Sequence, residues 1–213
     1  MRRKTFDAIL TAGGLMLAIV LLAAGGLLTW GHSFVSDQVT TQLSAQKIFF
    51  PAAGSDALAD PQIKPYLTKY GGQQLTNGDQ AKAYADHFIA VHVKAASGGR
   101  TFAELGTAQG ALKAQIATAE TAKDPGLAAL NQQLTDLNQT RETVFKGETL
   151  RGLLLNAYAF GTMGRIAGIA AIGAFAGAGV MFLLSLLGIV HLRRTPSDAD
   201  LHVPGWHPEA STV

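Results

Sequence analysis

Two histidines are the side chains best placed for chemistry, because His87 and His92 fall on one predicted helix. Histidines that bind a metal together from a helix usually stand three or four residues apart, as in the HExxH motif. A spacing of five residues turns the two rings about 140° apart around the helix axis. Asp86 is adjacent in sequence but faces elsewhere. The pattern is typical of surface or half-buried histidines, and we expect no metal and no other cofactor.

Known catalytic motifs are missing from the sequence. It has no GxSxG nucleophile turn, no phosphate-binding loop and no Rossmann glycine pattern. It also has no cysteine, which excludes disulfides and thiolate metal ligands. The net charge of +2 and the lack of a long basic run argue against a nucleic-acid partner. We therefore expect no catalytic residue.

The element that organises the chain is the apolar stretch 166–190, which contains no charged residue. At about 1.5 Å per residue, a helix of this length exceeds the roughly 30 Å hydrocarbon core of a bilayer. Arg165 precedes the stretch, and Arg193 and Arg194 follow it. The pattern predicts a transmembrane helix. Because neither apolar stretch has an ionisable residue, a proton relay or ion path is not expected.

A second apolar stretch covers residues 8–30 and ends in Trp30, a residue type common at membrane interfaces. A cleaved signal peptide is the alternative, but its apolar core normally spans about 7–15 residues. We favour an uncleaved anchor, while the small residues at 23–26 keep cleavage open as an alternative. Only 15% of the residues are charged, against about 25% in soluble domains, in keeping with membrane segments.

The basic residues predict the orientation. Arg2, Arg3 and Lys4 precede the first span, and none occurs between positions 31 and 46, so the positive-inside rule places the N-terminus in the cytoplasm. The expected protein is all-α, with two transmembrane helices bracketing a helical extracytoplasmic domain in the bacterial plasma membrane. Its predicted parts are a cytoplasmic N-terminus (1–7), the first span (8–30), the extracytoplasmic domain (31–165), the second span (166–190) and a flexible cytoplasmic tail (191–213).

Capping signals place helices inside the predicted domain. Asn77 is expected to cap one helix, and Thr101 with Glu104 forms a capping box for the next. Asp124 followed by Pro125 predicts a further start, and the glycines at 98–99 predict a helix end. Leucines spaced three and four apart from position 127 match an apolar stripe over 105–119, which favours an antiparallel hairpin. Glycine at 147 is a possible kink.

Small residues recur on one face of each span, which favours close helix–helix contact within the chain or between chains. Two GxxxG motifs contribute to this pattern in the second span. The residues predicted to pack helices are Gly14, Ala18, Gly25, Gly164, Gly168, Ala170, Gly173 and Gly177.

Four blocks resemble an actinobacterial family of two-span membrane proteins and occur in the family's order. They are LSAQKIFFP at 43–51, GDQAKAYADHFIAVHV at 78–93, GGRTFAEL at 98–105 and KGETLRGLLLNAYAFGTMGRIAG at 146–168, about a quarter of the chain. The resemblance implies two spans and a bacterial plasma membrane. Family members often carry the label of an aromatic ring-opening dioxygenase subunit. Such an enzyme needs ligands for non-haem iron, and this sequence offers no convincing set.

Three function classes follow, in decreasing order of support. The first is a non-enzymatic membrane protein, structural or accessory, that assembles with itself or with another membrane protein in the lipid bilayer. The second is an extracytoplasmic ligand sensor, which would need a partner for its output because few residues follow the second span. An enzyme is the third.

Overall fold

A computed structural model describes residues 3–196, and these residues are mostly helical (84%) with no strand among them. The predicted all-α class is therefore confirmed. The one sheet-like contact in the described part of the chain is an isolated antiparallel bridge between Phe49 and Gln74. The predicted flexible tail at 191–213 lies outside the described residues from position 197 onward.

Six α-helices make up most of the described chain. They are α1 (Arg3–Ala45), α2 (Lys64–Leu67), α3 (Gly78–Tyr84), α4 (Ala90–Ser97), α5 (Phe102–Ala122) and α6 (Leu127–Arg194). Short 3₁₀ turns lie at Asp56–Leu58 and Thr68–Tyr70, and a π-helical turn at Ala85–Ile89 joins α3 to α4. The chain divides into two compact units, a central unit of residues 34–164 and a flanking unit formed by the residues before and after it.

By length and composition, both long helices could cross a membrane. The most apolar window has a mean hydropathy of 2.3 in α1 and 2.2 in α6, and only 11% and 17% of these windows are buried. The core helix of a soluble protein would be mostly buried instead. The apolar side chains of these two segments thus face outward.

Within the flanking unit the two apolar segments run antiparallel. Thr11 lies against Gly188, Gly14 against Ser185 and Gly25 against Phe175, so one residue number falls as the other rises. The contacting residues of α1 recur at positions 11, 14, 18, 21 and 25, alternately three and four residues apart. This period of about 3.5 residues keeps one stripe of a helix facing its neighbour.

The central unit has its own apolar core. Phe50 lies in its middle, with its ring 5.0 Å from that of Tyr70 and 5.3 Å from that of Tyr84. Burying such side chains is the main favourable term in folding. The buried set comprises Leu43, Phe50, Leu58, Ile63, Leu67, Leu75, Ala81, Ala85, Ile89, Val93, Leu105, Val144 and Leu154.

The local signals for helix ends are confirmed at three places. The Asn77 side chain accepts a hydrogen bond from the Gln80 N–H, Thr101 and Glu104 form the capping box, and α4 ends at Gly98. Gly98 has a φ of 63°, a conformation that suits glycine because it has no Cβ.

One expectation near the start of α6 needs correction. The helix begins at Leu127 and not at Pro125, because the Asp124 carboxylate accepts a hydrogen bond from the Gly126 N–H in a tight turn before it. Further along, α6 continues through Gly147. A Cβ at position 147 would overlap the Val93 side chain, so glycine serves close helix packing here.

Candidate functional site

A groove of about 490 Å³ lies in the central unit. One wall consists of residues 34–46, the last part of α1 and the residue that follows it, and the other is the segment 153–160 of α6. We call it the amide groove. Its lining residues are Phe34, Val35, Gln38, Val39, Gln42, Leu43, Gln46, Leu153, Asn156, Ala157 and Phe160.

Four uncharged amide side chains give the groove its polar character. Gln38 and Gln42 stand four residues apart on one face of α1, and Gln46 continues this row just beyond the end of the helix. Asn156 belongs to the wall of α6. No hydrogen bond within the described part of the chain involves these four side chains. Each amide offers both hydrogen-bond donors and an acceptor, so the row can bind a polar group without a net charge.

Large apolar side chains at the groove stay accessible to solvent. The exposed fractions are 52% for Phe34, 58% for Leu153 and 57% for Phe160. By contrast, Leu43 is buried at the base of the groove, with 3% exposed. Exposed apolar groups around a concave surface commonly mark a binding site. The groove thus combines an apolar rim with a row of neutral polar groups.

A second group of polar residues surrounds Asp86 on the π-helical turn. Its carboxylate accepts a hydrogen bond from Lys82 and lies 3.5 Å from the Arg151 guanidinium, which also pairs with Glu148 at 3.2 Å. Burial by itself raises the pKa of Asp86, but the hydrogen bonds and charges of Lys82 and Arg151 outweigh it and hold that pKa below its ordinary value. A carboxylate that stays ionised in this way is a poor general acid or base near neutral pH.

The two histidines have different neighbours. The His87 ring stacks on Tyr66, with ring centres 3.5 Å apart, and the Nδ1 of His92 is 2.7 Å from the carbonyl oxygen of Phe88. Burial lowers the pKa of His87, and the nearby charge of Asp86 opposes this effect only in part. Within residues 3–196, no three histidine or acidic side chains gather where they could hold a metal ion.

A further pocket of about 430 Å³ lies between α4, the start of α5 and α6, and it includes basic side chains. Some of its polar groups have partners, although the Nε of Arg151 is buried without one among the described residues. The Nε of Arg100 donates to the carbonyl oxygen of Ser97 at 3.2 Å, and Glu148 pairs with Arg151. This pocket is therefore weaker evidence for ligand binding than the amide groove.

The glycines predicted to pack helices fall into different environments. A Cβ on Gly14 would lie 2.7 Å from Ser185 Oγ, one on Gly25 would lie 2.8 Å from the Phe175 ring, and one on Gly168 would lie 3.0 Å from His32 Nδ1. These glycines lie at the contact between the two apolar segments. Ala18 is buried at the same contact, with 1% exposed.

The remaining predicted residues of the second segment behave differently. A Cβ on Gly177 would be 3.4 Å from Leu21, an ordinary contact, and Gly164 is buried. Ala170 is exposed, and a Cβ on Gly173 would meet no atom within 4 Å. The described part of the chain covers neither of these two residues, so any packing role for them involves something outside it.

The amide groove was missed in the sequence because its walls are more than a hundred positions apart. In the sequence, the only sign of it is the recurrence of glutamine at 38, 42 and 46.

Comparisons with protein-family models, curated proteins and solved structures found no match to the chain.

Proposed function

We propose that this chain is a non-enzymatic integral membrane protein with an accessory or structural role. Residues 8–30 and 166–190 would span the bacterial plasma membrane, with both termini in the cytoplasm and residues 31–165 on the outside. Support comes from the outward-facing apolar side chains of both segments and from the basic residues before the first. Exposure of this apolar surface to water would cost free energy, whereas lipid tails would cover it.

The observation that carries the assembly role is a face of α6 that begins with two small residues and is not covered by the described part of the chain. Ala170 and Gly173 are exposed, and Val180 and Leu184 continue the same face. In lipid, helices associate through close van der Waals contact, which small residues permit. We propose that this face, the outer face, binds a second copy of the chain or another membrane protein.

The test compares two glycines of one helix that both lack neighbours. Gly173 belongs to the outer face, whereas Gly179 points in another direction, and a Cβ on either would meet no atom within 4 Å. Gly173→Ile is expected to reduce the native mass in mild detergent to that of a single chain. Gly179→Ile should keep the wild-type mass, because position 179 lies off the outer face. It is a matched control, since both variants add the same apolar volume.

Two outcomes would contradict the proposed assembly through the outer face. One is a wild-type protein that has the mass of one chain and co-purifies with no stoichiometric partner. The other is equal behaviour of the Gly173→Ile and Gly179→Ile proteins. In either case the outer face would contact only lipid.

A ligand sensor is the second candidate function, and the amide groove favours it. Its volume is within the range of about 300–1,000 Å³ common for small-molecule sites. A sensor would retain a small molecule in the central unit through purification, and mass spectrometry of the organic extract would detect it. A purified protein without any such molecule but with a stoichiometric partner would favour the assembly role.

A further inference from the structure

We infer that the amide groove binds the headgroup region of an uncharged membrane lipid, such as the hydroxyl and ester groups of a diacylglycerol. The inference rests on the proposed membrane location but not on self-association. The ligand class proposed for the groove is one that neither the outer face nor the ion pairs around Asp86 would bind.

The polar lining selects for a neutral group. None of the groove's lining residues carries a charge, and its polar side chains are the amides of Gln38, Gln42, Gln46 and Asn156. A phosphate in the groove would find no counter-ion among these residues. Hydroxyl and ester oxygens can instead exchange hydrogen bonds with amides at little loss.

The apolar lining suits the start of an acyl chain. Val35, Val39 and Ala157 are half-buried in the walls, and Phe34 and Phe160 are exposed at the rim. A water-soluble sugar or nucleotide would bury little of its surface against such groups. A molecule with a neutral polar end and an apolar remainder would satisfy both kinds of lining.

Short stretches of chain join the groove to the apolar segments. Phe34 follows Trp30 by four residues, and Phe160 precedes Ile166 by six. Extended chain covers at most about 3.6 Å per residue, so these two stretches cannot span more than about 14 Å and 22 Å. This short connection to the proposed membrane spans is why we assign the ligand to the membrane lipids.

Photolabelling of the full-length protein in lipid nanodiscs tests the inference. The probe is a diacylglycerol with a diazirine near the start of one acyl chain, and labelled peptides are mapped by mass spectrometry. We expect labels within residues 34–46 and 153–160. Excess unlabelled diacylglycerol should remove these labels, whereas the same excess of phosphatidylglycerol should leave them.

Two neighbouring exposed positions of α1 provide matched variants. Gln42 lines the groove and Thr41 does not, so Gln42→Trp fills the groove while Thr41→Trp adds the same ring outside it. We expect Gln42→Trp to lower labelling at least about fivefold, equivalent to roughly 1 kcal/mol of binding. Thr41→Trp should label like wild type. Gln42→Met, which keeps the length but loses the amide, should lower labelling by a smaller factor.

Equal labelling of the Gln42→Trp and Thr41→Trp proteins would overturn the inference, as would labels confined to 8–30 and 166–190. Competition by phosphatidylglycerol as strong as that by diacylglycerol would overturn the neutral class of ligand. Release of the protein from membranes by alkaline carbonate would instead refute the membrane location. These results are distinguishable, because carbonate extraction requires no probe.

Discussion

At the scale of single residues, Asp86 is the charged group whose partners are best defined. It lies between Lys82 and Arg151, and its side chain is 23% exposed. Pairs that are partly shielded from water contribute more than exposed ones, and removing one partner leaves the other charge poorly compensated. The ion pairs therefore tie the π-helical turn to α6.

We predict that Asp86→Asn lowers the stability of the protein by about 1–2 kcal/mol, or a few degrees in Tm, at neutral pH. Thermal unfolding in detergent, followed by circular dichroism, measures the change. Glu142→Gln is the control, because the Glu142–Lys146 pair is 63% and 71% exposed and should contribute little. Equal midpoints for the Asp86→Asn and Glu142→Gln proteins would contradict this account.

The same pair of proteins should respond to acid in a defined direction. The folded pKa of Asp86 lies below its ordinary value of 3.8, so the ionised carboxylate stabilises the fold above that value. This stabilisation is lost as the pH falls through the folded pKa. The difference between wild type and Asp86→Asn should therefore shrink as the pH is lowered below 3.8.

Residue types alone do not distinguish the roles of the glycines in the apolar segments. Gly13 and Gly14 are neighbours, yet a Cβ on Gly14 would meet Ser185 Oγ and one on Gly13 would meet nothing within 4 Å. In the structure, Gly14, Ala18 and Gly25 lie at the contact between the two segments. The small-residue pattern does not reveal that Ala170 and Gly173 are exposed, because this depends on the rotation of α6 about its axis.

At the scale of helices, two glycines of α6 have opposite surroundings. Gly147 lies against the buried side chain of Val93, whereas Gly152 is exposed with no atom near its missing Cβ. Valine has few rotamers, so the Val93 side chain cannot easily move aside. The two positions separate the packing effect of an added methyl group from its effect on helix propensity.

We predict changes of opposite sign at these positions. Gly147→Ala should destabilise the protein by about 1–3 kcal/mol, because the new methyl group overpacks the core. Gly152→Ala should stabilise it by about 0.5–1 kcal/mol, because alanine favours helix over glycine. Thermal unfolding in detergent gives both values. A stabilising Gly147→Ala would show that glycine at 147 is not needed for packing.

Helix ends were predictable because their signals are local. The caps at Asn77 and Thr101 and the stop at Gly98 depend on side chains within four residues of the end. The π-helical turn was not predictable, since the apolar spacing around it is compatible with ordinary α-helix. The amide groove could not be predicted for another reason, because it forms only when residues 34–46 pack against residues 153–160.

At the scale of the whole molecule, the proposed topology can be tested by labelling single introduced cysteines, because the chain contains no cysteine of its own. The introduced cysteine must be accessible, which rules out Ser97, since only 2% of that residue is exposed. Ala128, near the start of α6, and Pro196, beyond its end, are both exposed.

We predict that Ala128→Cys reacts with a membrane-impermeant thiol reagent in intact cells and that Pro196→Cys reacts only after lysis. The physical basis is the cluster of basic residues before the first apolar segment, which favours a cytoplasmic N-terminus. Gel shift after labelling measures both reactions. The reverse pattern would refute the orientation, and equal reaction of both cysteines in intact cells would refute the two spans.

The π-helical turn at Ala85–Ile89 has a consequence for how this chain can vary in length. A π turn accommodates one residue more than an α turn, and such turns are commonly explained by the insertion of a single residue into an α-helix. Removal of one residue here would restore a regular α-helix. Elsewhere in a helix, the loss of one residue rotates everything beyond it by about 100°. The region of Asp86 is thus where related chains are expected to differ by one residue.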